Sequence, residues 1–195
     1  MVSAPPVYLP PSFTVTNDQF WDLAKSNPEL RLERTAAGEL IVMPPTGSEG
    51  GRHNAEVTTD IVIWNRRTQL GKVFDSSTGF QLPNGATRAP DTAWISNERW
   101  NALTPDQRQR FAPICPDFVL ELASESDNLE TLRQKMQEYV DNGCRLGWLI
   151  IPQTQQVEIY RGNGAVEVLQ FPASLSGEAV LPGLVLDLVA IFKKS

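Results

Sequence analysis

The stretch Phe118-Val119-Leu120-Glu121-Leu122-Ala123 is an almost unbroken apolar run holding one charge, Glu121. Short continuous runs of this kind suit a central β-strand covered on both faces, whereas a half-exposed strand would alternate with polar residues. Asp127 or Asn128 then caps a helix that reaches about Asp141 and is stopped by Asn142-Gly143. Leu146 to Ile151 is a second buried strand, ended by Pro152.

Working outward from this pair, Asp91 to Ser96 reads as a strand, and Lys72 to Leu82 as one broken by small residues and closed by the Pro83-Asn84-Gly85 turn. Asn97 to Gln109 is polar and helical, with a second start at Thr104-Pro105-Asp106. Further upstream, Pro44-Pro45-Thr46-Gly47 breaks the chain, and Ser48 can cap a helix from about Glu49 to Gln69. Ala55, Thr59, Val62 and Ile63 recur there at helical spacing, with Ile61 and Trp64 widening the stripe. Leu30 to Arg34 and Glu39 to Met43 form a hairpin around Ala36 to Gly38, preceded by a short helix over Thr16 to Lys25. A second hairpin, Val157 to Tyr160 with Ala165 to Leu169, turns at Arg161-Gly162-Asn163-Gly164, and the apolar tail Leu181 to Phe192 docks on the sheet. The first dozen residues, with four prolines, read as an extended arm. The expected architecture is an α/β or α+β domain over residues 13–195, with a mixed sheet flanked by helices and a hairpin near each end.

A chain of 195 residues corresponds to one domain by the usual prior of about 150 per domain, and its 41% apolar residues suffice for a core without disulfides. It contains neither an eighteen-residue apolar run nor a basic, then apolar, N-terminal segment, so a membrane span and a secretory signal are not expected. Cys115, Cys144 and the single His53 cannot build the usual Cys/His zinc site. A reducing cytoplasm fits best, with one disulfide as the alternative. A balance of 17 basic against 23 acidic residues argues against wrapping nucleic acid by bulk charge. It leaves room for a metal-dependent enzyme, whose carboxylates count as negative until the ion arrives.

Three charges stand where structural logic would not place them. Glu121 lies inside an apolar strand, where an unpaired carboxylate is costly. Asp91 opens a strand after Pro90, a position that also suits a turn residue. On the next helix, Leu129, Leu132, Met136 and Val140 form the apolar stripe, and at 100° per residue Lys135 falls on its border, where a lysine ordinarily snorkels to water. Two carboxylates at the ends of neighbouring strands offer hard oxygen ligands to Mg²⁺, and a nearby lysine can stabilise negative charge on a phosphorane. Glu56, among Ala55 and Thr59 on the preceding helix, could turn its charge to the same cleft. Ser124, Ser126 and Asp127 read as capping residues, His53 as a helix-surface histidine, and Arg52, Arg66 and Arg67 as solvated surface. Trp94, Trp100 and Tyr160 could stack on bases, but a core or interface is the more common place for them.

Four blocks, Gly79-Phe80-Gln81-Leu82-Pro83-Asn84-Gly85, Pro90-Asp91-Thr92-Ala93-Trp94, Cys115-Pro116-Asp117-Phe118-Val119-Leu120-Glu121-Leu122 and Leu132-Arg133-Gln134-Lys135-Met136-Gln137-Glu138-Tyr139, resemble in order and spacing the Uma family of restriction endonuclease-like bacterial proteins. The resemblance runs from about residue 14 to 192. It implies the PD-(D/E)XK nuclease fold, with Mg²⁺ or Mn²⁺ held by Asp91 and Glu121 and with Glu56 as the auxiliary acid of the first core helix. Ala123 stands where that superfamily has its lysine, so the resemblance makes Lys135 a migrated substitute. The function implied is metal-dependent phosphodiester hydrolysis, on DNA first of all; since the sequence shows no basic stripe, a homodimer or partner chain is expected to supply the phosphate-binding surface. The alternatives are a nuclease-like scaffold without hydrolysis, in which an internal Arg or Lys neutralises Glu121, and a metal hydrolase of small phosphodiesters.

Overall fold

The computed structural model describes residues 13–192, so the proline-rich arm expected over 1–12 lies outside the described residues. Thr16 caps α1 (Asn17–Ser26) through a reciprocal box with Gln19. The hairpin of β1 (Arg31–Arg34) and β2 (Leu40–Met43) follows, then the long helix α2 (Ser48–Thr68). The strand expected from Lys72 to Leu82 is two strands, β3 (Gly71–Asp75) and β4 (Phe80–Gln81), because the Asp75 carboxylate accepts from the Ser77 N–H and turns the chain. Next come β5 (Thr87–Arg88), unforeseen in the sequence, and β6 (Thr92–Ser96), then two five-residue helices, α3 (Asn97–Asn101) and α4 (Pro105–Gln109). The central unit is β7 (Phe118–Leu122), α5 (Leu129–Asp141) and β8 (Leu146–Ile151). The hairpin β9 (Gln156–Arg161) and β10 (Val166–Gln170) leads into β11 (Ser174–Ser176), β12 (Val185–Asp187) and α6 (Val189–Phe192).

Six strands form the main sheet in the order β10-β9-β8-β7-β6-β3. β7 and β8 are parallel, and every other neighbouring pair is antiparallel. The parallel pair requires a crossover, which α5 supplies. Asn128 caps that helix by accepting from the Thr131 N–H, and Gly143 ends it at φ +101°, a left-handed conformation that favours glycine. A four-stranded sheet, β2-β1-β5-β4, and the small β11-β12 pair complete the fold. The mixed sheet flanked by helices is the architecture that the apolar runs imply.

Strand alternation sends side chains to two separate cores. On one side Val57, Ile61 and Trp64 of α2 pack with Trp94, Phe118, Leu120 and Trp148, and the C-terminal segment joins them through Leu186 and Ile191. On the other, Met136 and Tyr139 of α5 pack with Ala93, Ile95, Val119 and Leu149. Each such large apolar side chain contributes roughly 1.5–3 kcal/mol when withdrawn from water. β7 is therefore covered on both faces, as its composition predicts.

The buried stripe of α2 differs from expectation. It is His53, Val57, Ile61 and Trp64, whereas Ala55, Thr59 and Ile63 face solvent. Both sets recur with helical period, and periodicity alone cannot choose the phase of a helix that is mixed all round. His53 is thus a buried residue and not the surface histidine its sequence context suggests. Trp94 and Tyr160 also belong to the core. Cys115 and Cys144 are free and buried, and burial pushes the Cys115 thiol up to about 12, which leaves it unreactive at neutral pH. Among the described residues no helix is long and apolar enough to cross a membrane.

Candidate active site

The antiparallel register of β6 and β7 pairs Thr92 with Leu120. One step further along the same register puts Asp91, just ahead of β6, opposite Glu121. The Asp91 carboxylate closes this end of the ladder by accepting the Leu122 N–H at 2.9 Å through Oδ2. Its Oδ1 accepts from the Asn54 amide of α2, also at 2.9 Å, and Arg31 Nη2 lies 4.0 Å away. Both carboxylate oxygens thus have fixed directions.

Glu121 shares the side-chain parity of Val119 and points into the α5 core, where it is 5% exposed. Two residues of α5, four positions apart and so on one helix face, meet its Oε1. Lys135 Nζ approaches to 2.8 Å, and the Tyr139 hydroxyl donates at 3.1 Å. Lys135 Nζ is equally close, at 2.8 Å, to Oε1 of Glu33 on β1, a buried acid that also accepts the Ala89 N–H. Arg88 pairs with Glu33 at 3.1 Å and with Glu138 at 2.6 Å. An unbroken chain of charge therefore runs Glu138, Arg88, Glu33, Lys135, Glu121, tying the small sheet to the crossover helix. Lys135 does not snorkel to water: its side chain is 11% exposed and its amine sits between two carboxylates.

The two acids of this chain respond differently. Burial raises the Glu33 carboxyl, but Lys135 and Arg88 outweigh it and hold the group below its ordinary range. For Glu121 burial dominates. Lys135 opposes it, but the charges of Asp91 and Glu33 reinforce it, and the carboxyl is pushed up to about 7. Burial lowers Lys135, yet Glu121 and Glu33 together keep it above the usual lysine range, so it is charged. The Tyr139 phenol is raised well above its usual value by burial and by Glu121 and Glu33, which leaves it a donor. Three carboxylates, Glu33, Glu121 and Glu138, face two cations, Lys135 and Arg88, and Asp91 adds to the negative side. With Arg31 beside Asp91 the cluster holds four carboxylates against three cations, and this surplus adds to the burial that raises Glu121.

Of the four residues expected to converge, Asp91, Glu121 and Lys135 gather here and Glu56 does not. Asn54 and Thr58, 40° apart on α2, are the residues that turn to β6; Thr58 bonds Thr92 at 2.6 Å. Glu56 lies 200° from each. It pairs instead with Arg52 at 2.7 Å and borders a surface cavity with Asp60, Asp187 and Ile191 on the C-terminal side. Glu33, Asn54, Arg88 and Tyr139 were not expected. Glu33 carried one signal, a charge in the inward register of an alternating strand, but its partners, Arg88 of β5 and Lys135 of α5, lie far along the chain. Ser124 and Asp127 act locally, the Asp127 carboxylate accepting the Ser124 N–H.

Among the described residues, no three His, Cys, Asp or Glu side chains gather as a metal cluster. The donors that are present still suit Mg²⁺, which is ordinarily held by one or two carboxylates and completes its octahedron with water and substrate phosphate. Asp91 and Glu121 would provide the pair. A further hard oxygen, Asn54 Oδ1, is buried beside Asp91 and has no hydrogen-bond partner among the described residues.

Residues 18–189, a span that contains every residue of this cluster, match the model of Uma2, a family described as putative restriction endonuclease. The fold is similar to that of a putative nuclease belonging to DUF820 from Anabaena variabilis ATCC 29413. The TM-score is 0.75 at 20% identity, over 91% of this chain and 97% of that one. No curated protein matches the chain.

Proposed function

Since the chain belongs to the Uma2 family, we propose that it is a Mg²⁺- or Mn²⁺-dependent nuclease that hydrolyses phosphodiester bonds, with DNA as the favoured substrate and Asp91, Glu121 and Lys135 as its working residues. One observation carries this reading: two carboxylates from adjacent strands meet in a cluster with a surplus of negative charge, and the buried one is pushed up to about 7.

Asp91 and Glu121 would hold the ion, which would supply Lewis-acid polarisation of a phosphoryl oxygen. The protein's own contribution is positional and electrostatic. Asn54 and the Leu122 N–H aim the Asp91 oxygens. Glu33, itself fixed by Arg88 and Ala89, holds Lys135 against Glu121. Two of the ammonium's three donors are then committed, and the third is free to meet negative charge developing on the phosphate. Glu56 has no part in this arrangement. A net charge of −6 places the burden of phosphate contact on groups near the site such as Arg31, and on a second copy of the chain in a homodimer.

The deciding experiment is a calorimetric titration of the protein with Mn²⁺, followed by a cleavage screen over DNA, RNA and small phosphodiesters. Saturable binding with cleavage of DNA is the expected result. A second reading, a nuclease-like scaffold without hydrolysis, draws on the Lys135 to Glu121 ion pair, the internal cation beside the buried acid that such a scaffold would need. An absence of binding even with an oligonucleotide added would favour it.

A pH profile separates the two readings further. The Glu121 proton must leave before the carboxylate can bind a cation, so the apparent Mn²⁺ affinity should rise about tenfold per unit up to about pH 7 and then level off. An affinity constant between pH 5.5 and 8 would remove Glu121 from the ligand set.

A further inference from the structure

We propose that Asn54 belongs to the divalent-ion site, its carboxamide oxygen accepting from the ion's hydration shell beside Asp91; this rests on the metal-dependent reading above. The amide nitrogen donates to Asp91 Oδ1 at 2.9 Å, and this bond fixes which end of the side chain is which, because turning the amide over would set oxygen against carboxylate. The Asn54 Oδ1 atom is thereby left buried with no partner among the described residues. An unsatisfied buried carbonyl is ordinarily avoided. α2 could have removed it with a small apolar residue at this position. Instead the helix presents a hard oxygen, held by its own nitrogen, at the one carboxylate of the cluster that opens the strand end. A hydrated Mg²⁺ or Mn²⁺ at Asp91 brings water protons in need of acceptors, and Asn54 Oδ1 supplies one.

Asn54 also displaces Glu56 in the logic of the helix. The side of α2 that meets β6 carries a neutral oxygen donor, and Glu56 faces the C-terminal segment. A neutral residue here accepts from water without adding a further charge to a cluster already rich in carboxylates.

The test is Mn²⁺ calorimetry on wild type, Asn54→Ala and Asn54→Asp, with thermal unfolding without metal as the folding control. Loss of an acceptor for the hydration shell should weaken Mn²⁺ about tenfold in Asn54→Ala. Asn54→Asp keeps an oxygen and removes the amide donor, and it should bind Mn²⁺ at least as tightly as wild type. If Asn54→Asp is as weak as Asn54→Ala, the amide nitrogen's grip on Asp91 is what matters and the proposal is overturned. Wild-type affinity in Asn54→Ala overturns it as well, while leaving the carboxylate site standing. A wild type that binds no Mn²⁺ overturns both this inference and the reading beneath it.

Discussion

Replacing Lys135 by methionine should destabilise the protein by about 3–5 kcal/mol at pH 8, because it strands two buried carboxylates that share one ammonium. For a chain of this size that corresponds to a fall in Tm on the order of 6–20 °C. The methionine fills much of the lysine stem's volume, so lost charge and not lost packing accounts for the effect. Glu33 keeps Arg88 and the Ala89 N–H, whereas Glu121 keeps only the Tyr139 hydroxyl. The burden therefore falls on Glu121, and it depends on pH in a determined direction. An acid whose folded-state value lies above its unfolded value binds protons more tightly when folded, so stability declines as pH rises through that interval. In the wild type this interval runs from the ordinary glutamate value of 4.5 to about 7. Removing Lys135 extends it upward. Thermal unfolding of Lys135→Met should accordingly show a smaller deficit at pH 5.5 than at pH 8. Equal deficits at both pH values would show that Glu121 remains ionised without its lysine and that the charge argument is wrong.

The second large effect concerns Asp91. Asp91→Asn should abolish measurable Mn²⁺ binding and lower metal-supported cleavage on the order of a thousandfold, equivalent to about 4 kcal/mol of transition-state stabilisation. The fold should persist. Asparagine can still accept the Leu122 N–H through its oxygen, and Asn54 can turn its amide over to accept from the new nitrogen, so the exchange of one charged hydrogen bond for a neutral one costs about 1 kcal/mol. The contrast between a small stability loss and a large functional one is the signature sought, by calorimetry, cleavage rate and thermal unfolding on one preparation. Unfolding of Asp91→Asn would make Asp91 a structural clamp of the β6 to β7 end, and undiminished Mn²⁺ binding would place the ion elsewhere.

What was legible in the sequence lay within single elements or between elements joined by a short ladder. The apolar run of β7 announces a strand covered on both faces, and an acid in such a run is conspicuous because its burial is costly. Asp91 and Glu121 come together through one antiparallel register, and Lys135 follows on the crossover helix that returns to the same strand. Three of the four residues expected to converge, Asp91, Glu121 and Lys135, accordingly lie together.

The remainder depended on what packs across each element. Which side of α2 faces β6 follows from the fit of His53, Val57, Ile61 and Trp64 against the sheet and C-terminal segment, and it was decided by shape where several periodic stripes competed. That choice turned Asn54 to the site and Glu56 away from it. Glu33 came from a hairpin in a separate sheet, and nothing local to Arg31–Arg34 indicates that a lysine about a hundred residues later will sit 2.8 Å from it. The sequence by itself determined the order of the main helices and strands, the two-faced strand and the acids opposed at its end, since these follow from backbone periodicity and the cost of burying charge. The tertiary structure alone decided which polar side chains share one low-dielectric pocket and how their charges balance, since that depends on long-range packing to which local periodicity is blind.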